Sequence, residues 1–504
     1  MPVPLLEMKN ITKRFPGVLA NDHVNFNLFA GEVHALVGEN GAGKTTLMKI
    51  LYGLYSPDEG EIYVKGKRSV IKKPREAIHY GIGMVHQHFM LVPPFSVLEN
   101  IVIGEETHRA GILDMDAPAE RVKKIMEDNS LFVDLSAKVE DIPVGLQQRV
   151  EILKILYRGA EILVFDEPTA VLTPQEVKEL FKTFREMKKQ GKGIIFISHK
   201  LDEVLEIADR ITVIRRGKII KTLNIEEATK PLIAELMVGK PVLLEVERPT
   251  VKMGDVVLEV RDLVMKSPRG YDVLSGVSFE VRAGEIYGIA GVEGNGQTEL
   301  IEAIAGEVKL ESGDILLNGE SILGWDVRRR REAGISHIPE DRHRYGLLLP
   351  YTLAENLTLG MHYKEPFVNR FQVINRKKIR EFARAVIRKY DIRTPSELTP
   401  AHALSGGNQQ KVIVARELSA EPRLLLAAQP TRGVDIGATE FIHNQLMVAK
   451  KEGRAVLLVS ADLDEIMSLS DRIGVMFKGR IIKEFTREKA VKEEIGFYMM
   501  GEKE

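Results

Sequence analysis

The chain is written twice, and no other feature constrains its fold as much. VHALVGENGAGKTTL, from Val33, aligns with IYGIAGVEGNGQTEL, from Ile286, at an offset of 253 residues that sets Gly38 on Gly291. ISHKLDEV, from Ile197, aligns with VSADLDEI, from Val459, at an offset of 262, which RRGKII/FKGRII and LMVG/YMMG keep. The second copy therefore holds nine extra residues in its middle, between positions 340 and 405, where the first copy runs from 87 to 143. Repeats this long are tandem domains and not solenoid units. A length of 504 residues allows about three units at about 150 residues each. The repeat itself sets two domains, 1–240 and 256–504. Between them 241–255 carries two prolines and mixed charge, the pattern of an extended linker. So short a tie predicts that the two domains pack against each other.

Each copy has the alternating rhythm of an α/β domain. VHALVG, ILVFDEP and GIIFISH are short apolar runs of buried parallel-strand type. A helix is expected from Thr45 to Leu54, directly after a glycine-rich turn. PQEVKELFKTFREMKKQ has helical spacing and opens on a proline. Such alternation predicts a mostly parallel sheet with helices on both faces. The stretch 94–159 is mostly helical in pattern and reads as an inserted subdomain.

Composition narrows the chemistry. The absence of cysteine removes disulfides, thiolate-ligated zinc, iron–sulfur clusters and thiol nucleophiles. Twelve histidines without an HExxH pair give a histidine-built metal site little support. A net charge of −1 offers no basic excess for nucleic acid. No apolar run reaches the roughly 18 residues of a membrane span, and the N-terminus lacks the pattern of a signal peptide. A cytoplasmic protein is expected, with any membrane role exerted through a partner.

The first copy carries a phosphate site. Gly38, Glu39, Asn40, Gly41, Ala42, Gly43, Lys44 and Thr45, followed by Thr46, fit GxxxxGK[ST] between a strand and a helix. The glycines let backbone N–H groups curl around phosphate oxygens at a helix N-terminus. Lys44 would reach the β- and γ-phosphates, and the Thr45 hydroxyl would ligate Mg²⁺. The strand ILVFDEP ends in Asp166 and Glu167. Carboxylates at a strand end want a metal or water, so Asp166 is placed to hold the Mg²⁺ shell and Glu167 to polarise an attacking water.

Together the phosphate loop, the ILVFDEP strand, LSGGNQQ at 404–410 and ISH at 197–199 resemble the ATP-binding cassette of ABC transporters, twice over nearly the whole chain. The resemblance implies two tandem P-loop NTPase domains, each with a mostly parallel sheet, an antiparallel β subdomain and an inserted helical subdomain, and ATP and Mg²⁺ as cofactors. It also implies that Gln87 meets Mg²⁺ and the permease, that His199 senses the γ-phosphate, and that Phe15 stacks on adenine, with core packing the alternative for Phe15. In the family two cassettes pair head to tail, each ATP lying between the phosphate loop of one and the LSGG segment of the other. That assigns nucleotide contacts to Ser405, Gly406, Gly407 and Asn408, and an interface role to Asp435.

The second copy departs from the pattern at nearly every catalytic position. Lys44 corresponds to Gln297, Asp166 to Ala428, Glu167 to Gln429, Gln87 to Glu340 and His199 to Ala461. The signatures show the opposite imbalance. The second copy has LSGGN, whereas the first has IPVGL, where Pro143 offers neither hydroxyl nor N–H. Thr173 stands in the first copy where the second has Asp435. The expectation is one competent composite site and one degenerate site per chain, with nucleotide binding at the degenerate site left open.

A cassette pair without membrane spans implies separate permease subunits, and through them a solute-binding protein, at the cytoplasmic face of the membrane. HQHFMLVPPFSVLENI, 86–101, offers an apolar surface to them, with subdomain core as the alternative. The fused, asymmetric arrangement with LSGGNQQK and IPEDR resembles importers of simple sugars and nucleosides, and HQHFMLVPPFSVLENI together with VEILKILYRGAEILVFDEPTAVLTPQE looks closest to the nucleoside branch. Two other classes stand beside this: a soluble twin-cassette ATPase of translation, and a non-hydrolysing nucleotide-gated scaffold. The first typically has a long charged linker and two intact sites; Glu167 and His199 argue against the second.

Overall fold

A computed structural model describes residues 3–86, 89–109, 112–169, 172–198, 200–239, 251–267, 270–292 and 294–501. The chain divides into two units, residues 1–242 and 243–504. Each is an α/β domain built on the same plan, and each is described by itself.

In the first unit the central sheet has six strands in the order Lys218–Asn224, Arg210–Arg215, Val33–Val37, Gly193–Ile197, Ile162–Asp166 and Ile82–Val85. All its pairings are parallel except that of the outermost strand Lys218–Asn224. The three central strands are wholly buried, which is why they read as unbroken apolar runs rather than alternating ones. A second, antiparallel sheet, Val18–Leu28, Leu6–Phe15, Glu59–Val64 and Lys67–Ser69, packs its alternating apolar face on the helix Lys44–Leu51 through Met8, Ile11, Phe26, Leu47 and Met48. That helix ends three residues before the expected Leu54. Beyond it the N–H of Leu54 still donates to the Lys49 carbonyl.

The second unit repeats this order strand for strand: Arg480–Thr486, Arg472–Phe477, Ile286–Ala290, Ala455–Ser460, Leu424–Ala428 and Ile335–Ile338, beside an antiparallel sheet around Val256–Lys266. Both inserted subdomains are helical as expected. The first holds Val97–Val102, Asp116–Asn129 and Val144–Tyr157, with a two-stranded hairpin, Thr107–Arg109 and Ile112–Asp114, that the helical pattern did not suggest. The longer insert of the second unit holds Leu353–Thr358 and Arg376–Lys389. No helix among the described residues is long and apolar enough to cross a membrane.

Candidate functional site

In the first unit the phosphate loop and the Asp166–Glu167 pair lie at the C-terminal ends of central parallel strands, where α/β sheets place their ligands. The loop after Val33–Val37 is shaped by its glycines. A Cβ at Gly38 would lie 2.2 Å from the Ile214 carbonyl oxygen, and one at Gly43 2.3 Å from that of Ala20, with Gly43 at φ 106°. The N–H of Ala42 donates to the Glu39 carbonyl, closing the turn, while Asn40 and Gly41 at its tip are exposed. Lys44 opens the helix and curls back, its ammonium donating to the carbonyls of Gly38 at 2.6 Å and Glu39 at 3.0 Å. Burial pushes its pKa down, opposed by the nearby Glu167 and Asp166. An ammonium tethered only to carbonyls inside a loop of backbone donors is placed to exchange those contacts for phosphate oxygens.

Asp166 closes its strand at 5 % exposure. Burial, and then the neighbouring Glu167, raise its pKa, while a hydrogen bond from the Thr45 hydroxyl lowers it. Asp166, bonded to the Thr45 hydroxyl, and the adjacent Glu167 form a hard-oxygen donor set. This is the small set that Mg²⁺ takes from a protein when phosphates supply the rest. The residues present thus fit the ion, and among the described residues no cluster of three or more metal-binding side chains offers another site. Glu167 adopts a left-handed conformation, φ 51°, its N–H donating to the Ile197 carbonyl at 2.9 Å; this turns its side chain off the strand line. Thr46 follows Thr45 in the helix and is half-buried. Phe15 lies outside the apolar core of its unit, edge-on to Tyr55 with ring centroids 5.4 Å apart. Gln87 and His199 lie outside the described residues. Met90 and Phe95, in the segment expected to meet a permease, are exposed.

The second unit holds the same loop without the same chemistry. Gly296, at φ 101°, caps the helix Gln297–Ala305 as Gly43 does its counterpart. Its strand end carries Ala428 and Gln429, and the Gln429 side-chain carbonyl accepts from the N–H of Ala461 at 3.1 Å. The positions of Glu167 and His199 are thus occupied by a neutral, mutually bonded pair.

The signatures differ in the opposite sense. Ser405 caps the helix Gly406–Ser419, accepting from the side-chain amide of Asn408 at 3.0 Å, and Asn408 in turn accepts from the N–H of Arg393. Gly407 is buried against Asp435, whose carboxylate caps the helix Ile436–Lys451 by accepting from the N–H of Ala438 at 2.8 Å. Asp435 therefore orders the helix beside the signature. In the first unit Pro143 precedes the helix Val144–Tyr157 with no side-chain cap. Sequence reasoning missed what lies next to it. A Cβ at Gly145 would come within 2.0 Å of Glu176 Oε1, so a carboxylate already covers this helix N-terminus. The counterpart of Glu176 in the second unit is Ala438. An anion at a helix N-terminus satisfies the dipole and repels a phosphate. The signal was in the sequence: Thr173-Pro-Gln-Glu176 is a capping box, whose glutamate folds back over the helix start.

The chain belongs to the ABC transporter family, whose profile matches residues 21–170 and 274–432, and with the import relatives that follow it is an ABC-type transport ATPase. Among curated relatives it is 50 % identical to the guanosine import ATP-binding protein NupO of Bacillus subtilis, over 99 % of this chain and 97 % of that one. It is likewise 50 % identical to the nucleoside import ATP-binding protein NupA of Lactococcus lactis, over 99 % and 98 %. The glucose import ATP-binding protein TsgD13 of Haloferax volcanii is 43 % identical over 99 % and 96 %. Among solved structures, the archaeal ribosome recycling factor aABCE1, bound to the stalk protein aP1, aligns with a TM-score of 0.59 at 18 % identity, over 95 % of this chain and 90 % of that one, a likeness of fold alone.

Proposed function

We propose that this chain powers import of a nucleoside through separate permease subunits at the cytoplasmic face of the membrane, hydrolysing ATP at one competent composite site. The observation that carries the reading is its one-sidedness. The first unit alone keeps Lys44, Asp166 and Glu167 around an intact phosphate loop, and the second alone keeps a helix end with Ser405 and a small, uncharged approach. In the proposed cycle the first unit's loop holds the ATP phosphates and Lys44 neutralises the γ-phosphate. The N–H groups and hydroxyl of Ser405, Gly406 and Gly407 complete the site over that phosphate. Thr45, Asp166 and Gln87 would hold Mg²⁺, which when bound supplies charge neutralisation between the phosphates. Glu167 orients and deprotonates the attacking water, and His199 supports the γ-phosphate. Phe15 offers the adenine a ring face.

The nucleoside assignment draws on the two relatives of 50 % identity, both named for nucleoside or guanosine import. A glucose import ATP-binding protein at 43 % identity points to sugar as a competing cargo. The test is uptake by vesicles containing the cognate permease and this chain. Radiolabelled guanosine should accumulate only with ATP inside, and unlabelled nucleosides should compete where ribose and glucose do not. Competition by sugars alone would reassign the cargo.

A further inference from the structure

In the first unit the Thr45 hydroxyl lies against Asp166. Thr298 occupies the same helix turn in the second unit, but Ala428 gives it no carboxylate. Its hydroxyl donates instead to Glu340 Oε2 at 3.1 Å, and the other oxygen of Glu340 is paired with the Arg432 guanidinium. Arg432 stands where the first copy has Ala170. Arg432 is also held by its backbone, the Arg342 guanidinium donating to its carbonyl at 2.9 Å.

Thus the place where the first unit presents two carboxylates to a cation already contains a cation in the second. Glu340, the carboxylate that Thr298 meets there, is matched by Arg432, and a divalent ion would meet a guanidinium at close range with no acidic strand end to offset it. The residues do not fit Mg²⁺. The phosphate cradle nonetheless persists. Gly291 leaves no room for a Cβ, which would lie 2.8 Å from the Met476 carbonyl oxygen, and the Gln297 amide nitrogen sits 2.3 Å from the same point. Gln297 is 7 % exposed, and among the described residues its side-chain amide has no hydrogen-bond partner. The residue is nine-tenths buried while its amide still meets solvent, so the donor stands open, over a loop of backbone N–H groups, to an oxygen that enters there.

We infer that the second phosphate loop binds the phosphates of a nucleoside di- or triphosphate without a divalent cation, Arg432 serving as its built-in counter-charge and Gln297 as a neutral donor. This rests on the ABC-cassette reading of the loop and goes beyond it in assigning a metal-independent ligand.

The experiment is equilibrium dialysis of ATP against the full chain carrying Lys44→Ala, in EDTA and in Mg²⁺. Binding of about one ATP per chain is expected in both, with affinities within about threefold of each other, because the counter-charge belongs to the protein. Adding Arg432→Met should weaken binding in EDTA about tenfold or more, and Mg²⁺, now free to meet Glu340, should restore it. The wild-type chain, which guards against misfolding of the variants, should hold about one ATP in EDTA that Arg432→Met removes. Binding that requires Mg²⁺ in the Lys44→Ala chain, or no binding in either condition, overturns the proposal. Mg²⁺-dependent hydrolysis by wild type, measured alongside, reports separately on the first site.

Discussion

The two units share a strand order and a loop of the same glycine geometry, yet only one assembles a charged site at the strand ends. In the first, Lys44, Asp166 and Glu167 crowd together: beside the effect of burial, Glu167 raises the pKa of both Asp166 and Lys44, and Lys44 lowers that of Asp166. In the second, Gln297, Ala428 and Gln429 are neutral, and the charge that remains is matched internally between Glu340 and Arg432. The fold is therefore indifferent to the chemistry. Glycines and apolar strands specify the cradle, and a handful of side chains at its rim decide whether it does work. Nor is the second unit merely decayed. Glu417, fully buried, is held by Arg331 at 2.9 Å and Arg416 at 2.7 Å, where the first unit has Ile155, Ile78 and Lys154.

The comparison is sharpened most by paired substitutions. Lys44→Ala should cut Mg²⁺-dependent hydrolysis about 10³-fold, the scale of losing one preorganised donor to developing charge. Gln297→Ala should change it less than about twofold, since no developing charge is assigned to that loop. Equal losses would break the asymmetry. Next comes stability. Glu417→Gln leaves buried guanidinium groups unmatched and should cost about 3–5 kcal/mol by denaturant unfolding. Ile155→Val, at the matching position, should cost about 1 kcal/mol. Burial alone would raise the Glu417 pKa, but Arg416 and Arg331 overcome it and hold the pKa below the ordinary carboxylate range. Its stabilisation is thus present above that range and is lost as pH falls through the lowered value.

Much of this contrast is legible in the sequence because it sits in contiguous motifs. The repeat register, GENGAGKT, ILVFDEP and LSGGNQQ fix the fold and pair each catalytic residue with its replacement. What could not be read joins segments far apart in the chain. Arg432 meets Glu340 across 92 positions, and Thr298 meets Glu340 across 42. Glu176 reaches Gly145 only because two helices bring their N-termini together. Pairing of this kind depends on packing and leaves no local pattern, so Glu340 read simply as a lost glutamine.

Smaller effects should follow at the signatures. Ser405→Ala removes a helix cap and the hydroxyl assigned to the γ-phosphate, and should lower hydrolysis about tenfold. Glu176→Ala, which uncovers the first unit's helix end, should leave hydrolysis within about twofold. The mildest test is pH. Asp166 keeps its proton to a higher pH than an ordinary aspartate, through burial and Glu167. Mg²⁺ must displace that proton, so the Mg²⁺ concentration giving half-maximal hydrolysis should rise as pH falls through the weakly acidic range. In the ligand-free protein the sign is opposite. The native state binds more protons than the unfolded chain between the ordinary and the raised pKa, so stability increases as pH falls through the raised value.

The central claim, a single hydrolytic centre founded on the first unit, is tested most directly by steady-state Mg²⁺-dependent ATP hydrolysis of the purified chain and its permease complex. Wild type is compared with Glu167→Gln and Gln429→Ala. Loss of about 10²-fold or more in Glu167→Gln, the scale of removing a general base, with Gln429→Ala near wild type, is the predicted result. Activity retained in Glu167→Gln, or abolished in Gln429→Ala, would contradict it.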